Sequence, residues 1–393
     1  MKSSERVASA DGGTPLLDGG LVFAMCQRVG MSPNQPKGAA RLAALALAVT
    51  WIPMVVLAAM QGLALPGPVE HPLLLDPAVW ARIVIGLPAL ILVGPPIVAR
   101  TASAAEELRR LIPERRQQEF ESALGGLRRL SQSWLPDVVL LAMAAITSWL
   151  ALHGGLSPES GDWRTLPSSG APSLARLWTA AVALPFFQFL VLRWGWRIIL
   201  WWGFLGRVGR MDLELLPTHP DGFAGLGFLG EAQSAFFLLA SPLALIFTTH
   251  IVVAAMQTSE DLRSYQAPAA AFVVLLAVLL MGPALSFVGL LVKARRRAIF
   301  EYGRLGQSYV SQFDQKWVQG GAQGEALLGT ADIQSLADIA NSMKVVREMS
   351  IIPFERRHLL LFAACIALPV IPPLLLVMPL TEILSRVAAI VAK

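Results

Sequence analysis

The segment at residues 217–230, PTHPDGFAGLGFLG, contains the residue types that come closest to a chemical site. His219 and Asp221 could serve as an acid/base pair on a lipid headgroup, or as two ligands of a metal ion. An acid/base role needs a third convergent polar group, and a metal site needs companion ligands at suitable spacing. The sequence offers neither, so we predict no catalytic residue, no metal site and no cofactor.

Residues 225–230, GLGFLG, match the G-x-G-x-x-G pattern of dinucleotide-binding proteins letter for letter. In such proteins the pattern follows a β-strand and opens a helix within a βαβ unit. Here it follows a proline- and glycine-rich turn and precedes an apolar run, and the acidic residue expected about 20 residues later is missing. We therefore exclude a dinucleotide site.

The remaining interpretation of this segment is structural. Two prolines interrupt the chain, Asp221-Gly222 favours a turn, and the glycines allow the backbone to lie close to a membrane surface. We expect an elbow at the cytoplasmic mouth of a membrane bundle. Its backbone N–H groups could hold a phosphate or a lipid headgroup, although Glu231 would oppose an anion.

Seven apolar runs are long enough to cross the ~30 Å hydrocarbon core of a membrane. They lie at residues 42–64, 80–99, 136–153, 175–192, 232–256, 267–292 and 358–380. The chain is 55% hydrophobic, with a mean hydropathy of +0.57, which is far above that of a soluble domain. The sequence predicts an all-α bundle of about seven transmembrane helices. Six of them contain proline and are expected to bend.

Lys and Arg are distributed unevenly between the two sides of these runs. Segments on one side hold 25 of them and segments on the other side hold 5, with Arg82 and Arg100 at the ends of the second run. The positive-inside rule then predicts a cytoplasmic N-terminus and an external C-terminus. The formal charge of +5 reflects this topology and contact with the lipid bilayer, so nucleic acid is not an expected partner.

The same pattern divides the chain into four parts. We predict a disordered cytoplasmic tail over residues 1–40, six spans over 41–292, a helical cytoplasmic insert over 293–357, and the last span with a short tail over 358–393. The insert is too short to bury a large core of its own. It is either a connector packed on the bundle or a collar for gating, assembly or binding a soluble partner.

The fifth run is the most polar. Gly227, Ser234, Ser241 and Thr248 recur every seven residues, which places them on one face of a continuous helix. Such a face of small residues is typical of close helix packing. The alternative is a water-lined pathway through the membrane.

Charged residues mark the expected cytoplasmic mouth. Asp137 and Glu231 start two of the spans, where a carboxylate stabilises a helix N-terminus or guards a pore. Arg193 and Arg197, one turn apart, form either an interfacial anchor with nearby tryptophans or a vestibule that attracts anions. No carboxylate lies at mid-membrane, which disfavours proton-coupled transport because such carriers need a buried ionisable relay.

PTHPDGFAGLGFLG, together with GTADIQSLADIANSMKVVREMSIIPF, resembles an uncharacterised family of bacterial polytopic membrane proteins. The resemblance covers roughly residues 175–370. It implies a multi-pass protein of the bacterial inner membrane, and it carries over no activity and no site residue.

Three functions fit these observations. The leading hypothesis is a homo-oligomeric channel or passive transport protein gated from the cytoplasmic side. The alternatives are a membrane-embedded enzyme that acts on lipid headgroups, and a signalling or scaffold protein whose insert binds a soluble partner.

Overall fold

The computed structural model describes residues 16–17, 19–28, 30–67, 69–153, 162–258, 261–320 and 331–377. These residues form helices and turns, with no β-strand among them. Two isolated bridges join His71 to Asp162 and Thr165 to Pro172. Seven helices are long and apolar enough to cross a membrane, and each overlaps one predicted run. They are Pro36–Met60, Pro77–Arg110, Trp134–His153, Leu174–Val208, Gly227–Thr258, Leu262–Leu285 and Arg356–Leu374, here called spans one to seven.

The prediction of an all-α polytopic bundle is therefore confirmed, and the chain is an integral membrane protein. We call the side that carries residues 110–134, 209–226 and 286–355 the inner side, because the Lys and Arg distribution predicts it to be cytoplasmic. Span four shows where the inner boundary lies. Arg193 is about 28 Å along the helix from Leu174 at 1.5 Å per residue, close to the thickness of the hydrocarbon core.

Prolines change the geometry of three spans in the turn before them. The chain is π-helical at Trp80–Gly86 before Pro88 and at Thr179–Ala183 before Pro185, and 3₁₀-helical at Ala235–Leu239 before Pro242. Proline has no N–H group and its ring displaces the carbonyl four residues earlier, which lies inside each of these segments. Spans two, four and five therefore depart from α-helical geometry where the sequence predicts bending.

Spans two and five form the centre of the bundle, because 50% of the residues in the most apolar stretch of each are buried. The corresponding share in span three is 17%, so span three lies at the periphery. One of the buried polar side chains in this centre connects three spans. The buried Gln233 of span five accepts a hydrogen bond from the indole of Trp201 at 3.2 Å and donates one to the carbonyl of Leu280 at 2.5 Å. Both the oxygen and the nitrogen of the Gln233 amide are hydrogen-bonded, so burying this polar group costs little free energy. Gln233 thereby links spans four, five and six.

The N-terminal segment that the sequence predicts to be disordered is partly helical. Residues 20–28 form a helix that packs against span three, and span one begins at Pro36. Disorder over residues 1–40 is thus wrong for this part, because the side chains of Leu16 and Leu17 are buried and fix the segment against the bundle. Residues 1–15 lie outside the described residues.

The inner side carries three further helices. Gln117–Gln132 is amphipathic, and its buried Phe120 meets Phe204 of span four with ring centroids 5.8 Å apart. After a break at Ser286–Phe287, Val288–Phe313 continues inward from span six and packs against Ala331–Glu348. The described part of the predicted insert therefore contains these two helices and a non-helical segment at residues 349–355, and residues 321–330 lie outside the described residues.

The topology predicts opposite accessibility for two exposed serines. Ser168 precedes span four, and Ser311 lies in helix Val288–Phe313, which we call the inner helix. Each serine is changed to cysteine in a protein whose buried Cys26 and Cys365 are replaced by alanine. A membrane-impermeant maleimide is expected to label Ser168→Cys in intact cells and Ser311→Cys only after permeabilisation. The reverse pattern would overturn the orientation.

Candidate functional site

The elbow at residues 217–226 is organised around the carboxylate of Asp221. One oxygen accepts the backbone N–H groups of Phe223 at 2.8 Å and Gly225 at 3.1 Å, and the other accepts that of Gly227 at 2.9 Å. The N–H groups that the sequence suggested for a phosphate or headgroup are therefore occupied by the protein's own anion. A carboxylate bound by several N–H groups is a strong local clamp.

Left-handed backbone makes this clamp possible. Gly222, Ala224 and Gly225 have φ angles of 72°, 56° and 93°. Two of the three are glycines, for which such angles carry no steric cost, whereas Ala224 adopts its angle while fully buried. The carbonyl of Gly222 accepts the N–H of Ser350 at 2.9 Å, so the elbow is also tied to the segment before span seven.

The environment of Asp221 favours its charged form. Burial raises the pKa of this carboxyl, but the three N–H bonds and the contact with His219 outweigh burial and hold the pKa below its usual value. His219 Nδ1 lies 2.9 Å from the carboxylate, and the imidazole is partly exposed. The predicted pair is therefore in contact, but Asp221 is engaged in holding the backbone. This geometry favours a structural role over acid/base chemistry.

A second cluster surrounds Glu231, four residues into span five. Its carboxylate contacts Arg357 of span seven, lies 3.3 Å from His358 Nε2 and lies 3.9 Å from Arg100 of span two. Arg100 also donates to the Glu231 carbonyl at 3.0 Å and to the hydroxyl of Ser234 at 2.9 Å. The inner ends of spans two, five and seven thus converge on one carboxylate.

His358 has a defined role in this cluster. The backbone N–H of Glu355 donates to Nδ1 at 3.1 Å, and Nε2 faces the carboxylate of Glu231 at 3.3 Å. The same bond caps the start of span seven. Gly230 is required here, because a Cβ at this position would lie 2.5 Å from the carbonyl of Pro353 and 2.9 Å from the His358 ring.

A third cluster joins spans three and four. Arg193 forms an ion pair with Asp137 and donates a second hydrogen bond to the carbonyl of Gly19. Both charged side chains are more than 90% buried. The N-terminal segment therefore covers this pair, and Arg193 and Asp137 do not face an open vestibule in the structure.

Arg197 lies one turn further along span four. Its guanidinium stacks on the ring of Trp194 at 4.7 Å, and Arg197, Arg193 and Trp194 line a small cavity of about 70 Å³. This arrangement matches an interfacial anchor of cations and aromatic rings.

The four pathway candidates do not share one face. The five-residue 3₁₀ segment between Ser234 and Ser241 turns the helix by roughly 100° more than a continuous α-helix would. The seven-residue repeat assumed regular α-helical geometry and is divided by this segment. Gly227 and Ser234 belong to the inner clusters, Ser241 contacts Cys365 of span seven, and Thr248 is half-buried further along span five.

Sequence reasoning missed Arg100, Arg357 and His358 as members of the site. Their position at the ends of apolar runs was a visible signal, but their convergence on Glu231 depends on how three distant spans pack. Comparison of the chain with protein-family models, with curated proteins and with solved structures found no match. The geometry of these three clusters is therefore the basis for the function proposed below.

Asp221→Asn is expected to destabilise the protein by about 2–3 kcal/mol, because charge-assisted hydrogen bonds to the backbone are lost. The folded-state pKa of Asp221 is depressed, so its stabilisation is present at neutral pH and disappears as the pH falls below about 4. Thermal unfolding in detergent between about pH 2 and pH 7 measures this difference, because the loss runs from about pH 4 down through the lowered folded-state pKa. The control is Asp212→Asn, which removes two exposed ion pairs and should cost under about 1 kcal/mol. Equal losses for both variants would contradict the clamp.

Asp137→Asn is expected to cost about 3–5 kcal/mol, because it leaves the buried guanidinium of Arg193 without its counter-charge. Replacing both residues, as Asp137→Leu with Arg193→Met, should cost less than the single change. Thermal unfolding of the two variants measures this. A double variant that loses more than the single one would show that the pair is not a coupled unit.

Proposed function

We propose that this protein is a homo-oligomeric channel or passive transport protein, gated on the cytoplasmic side by the cluster around Glu231. The observation that carries the proposal is the convergence of the inner ends of spans two, five and seven on one carboxylate. A contact that ties three helix ends together at the mouth of a bundle controls whether those ends can separate.

The exposure of the cluster suits a gate. Arg100, Glu231 and Arg357 are each about half exposed or more, so each pair contributes at most about 1 kcal/mol. The cluster can therefore be broken and remade at low cost. The buried pair of Asp137 and Arg193 is costly to break, and we assign it to the fixed part of the bundle.

The proposed pathway follows span five. Ser234 is bonded to Arg100, and Ser241 contacts Cys365, so both are occupied within the protein and the conformation described here corresponds to the closed state. Opening requires span seven to move away from span five. The 3₁₀ turn before Pro242 in span five, and Pro369, Pro372 and Pro373 in span seven, provide bending points for that movement.

The passive mechanism is supported by the positions of the carboxylates. In the sequence, Asp and Glu lie outside the middle of the apolar runs, so no intramembrane carboxylate is placed to carry a coupling proton. We place the protein in the bacterial inner membrane on the basis of the family resemblance and the Lys and Arg bias. The exposed apolar surface of span three is available to lipid or to a second copy.

Glu231→Gln is expected to raise the flux of ions or small solutes from proteoliposomes by about fivefold over wild type. Loss of two half-exposed ion pairs weakens the closed state by about 1 kcal/mol in total. The measurement is release of a panel of ions and uncharged solutes from vesicles that contain the purified protein.

The matched control for this experiment is Glu301→Gln, which breaks the ion pair with Arg297 on the inner helix, away from the bundle. Its flux should equal that of wild type. If neither wild type nor Glu231→Gln conducts any solute of the panel, the channel proposal is wrong. A detergent-solubilised mass equal to a monomer would remove the oligomeric part of the proposal.

A further inference from the structure

A groove of about 1700 Å³ lies on the inner side and adjoins the elbow only at Pro217. Its walls are the turn after span two, the segment at residues 209–217 after span four, and the beginning of the inner helix that continues span six. Neither the elbow carboxylate nor the Glu231 cluster lines it. The groove therefore has its own chemistry, which the gating proposal does not use.

Most charges in the groove are paired. Arg109 and Arg110 contact carboxylates of their neighbourhood, Arg115 contacts Asp212, and Arg297 contacts Glu301. Within the described part of the chain, four charged side chains that line the groove form no ion pair and no hydrogen bond, and all four are exposed. They are the cations Arg210 and Lys293 and the carboxylates Glu114 and Glu214.

The groove lies at the level of the lipid headgroups. Lys293 is the first charged residue after the uncharged run at residues 264–292, which contains span six. The backbone at Gly209, next to Arg210, approaches the carbonyl of Ser286 so closely that a Cβ would lie 3.0 Å from it. The backbone of Arg210 thereby lies beside the end of span six, and its exposed side chain lines the groove. Charged groups in this position meet phosphates of the membrane.

The groove also presents apolar surface. Leu213, Leu215 and Leu290 are half-buried along it, and Leu216 is 64% exposed. The groove thus combines two unpaired cations and two unpaired carboxylates with a leucine surface. This combination is complementary to an amphiphile. The head of such a molecule carries a phosphate and a cation, and its tail is a hydrocarbon chain.

We propose that this groove binds a phospholipid whose headgroup combines a phosphate with a primary ammonium group. Arg210 and Lys293 bind the phosphate, Glu114 and Glu214 accept hydrogen bonds from the ammonium group, and the leucines contact the acyl chain. The balance of free charges favours this headgroup over a purely anionic one, which would meet two unneutralised carboxylates. It also favours a primary ammonium over a quaternary one, because the latter has no N–H to donate.

Native mass spectrometry of the full-length protein in detergent tests the proposal with three lipids of equal chain length. We expect phosphatidylethanolamine to bind roughly tenfold more tightly than phosphatidylcholine or phosphatidylglycerol. This ratio corresponds to the free energy of about one hydrogen bond to a charged group. Arg210→Gln with Lys293→Gln should weaken binding of phosphatidylethanolamine by roughly tenfold or more. Glu114→Gln with Glu214→Gln should abolish its advantage over phosphatidylcholine.

The matched control is Arg296→Gln with Arg304→Gln, which removes the same charge from exposed positions of the inner helix outside the groove. It should bind as wild type does. As a second test of the cation pair, Arg210→Lys with Lys293→Arg keeps both charges and should keep binding. Equal affinity for the three lipids, an equal loss in the control, or competition by soluble phosphoethanolamine as strong as by the intact lipid would each overturn the proposal.

Discussion

The hydrocarbon core of a membrane supplies no hydrogen-bond partner and no counter-charge, so a charged side chain there must lie at a helix end or be neutralised by the protein. The inner boundary of this bundle follows from that constraint. Asp137 meets Arg193 between spans three and four, and Glu231 meets Arg100, Arg357 and His358 between spans two, five and seven. Five of the seven spans are held at one level by these contacts.

The elbow satisfies backbone N–H groups at the point where the chain enters the membrane. Span five begins immediately after a segment with three left-handed residues, whose N–H groups cannot be satisfied by regular helical bonds. The carboxylate of Asp221 accepts the N–H groups of Phe223, Gly225 and Gly227, of which Gly225 is left-handed, and so fixes the angle at which the chain enters the membrane. Gly227 and Glu231 are placed by that entry, and the geometry of the Glu231 cluster depends on it.

The spans were predictable because hydropathy acts over about 20 consecutive residues and needs no knowledge of neighbours. The sites were predictable only in part. His219 and Asp221 are close in sequence and are in contact in the fold. The partners of Glu231 are up to 131 residues away, and nothing local in the sequence brings them together. The small residues Gly227, Ser234, Ser241 and Thr248 do not share one face, because the turn before Pro242 is 3₁₀-helical and a fixed seven-residue period assumes a regular α-helix.

The order in which the chain is synthesised gives the Glu231 cluster a further meaning. Arg100 lies in span two and Glu231 in span five, whereas His358 follows Glu231 by 127 residues and lies at the start of span seven. The cluster can close only after that segment has left the ribosome and entered the membrane. Until then Glu231 and Arg100 face the inner side without Arg357 and His358, so the inner ends of spans two, five and seven come together only when the last span is in place.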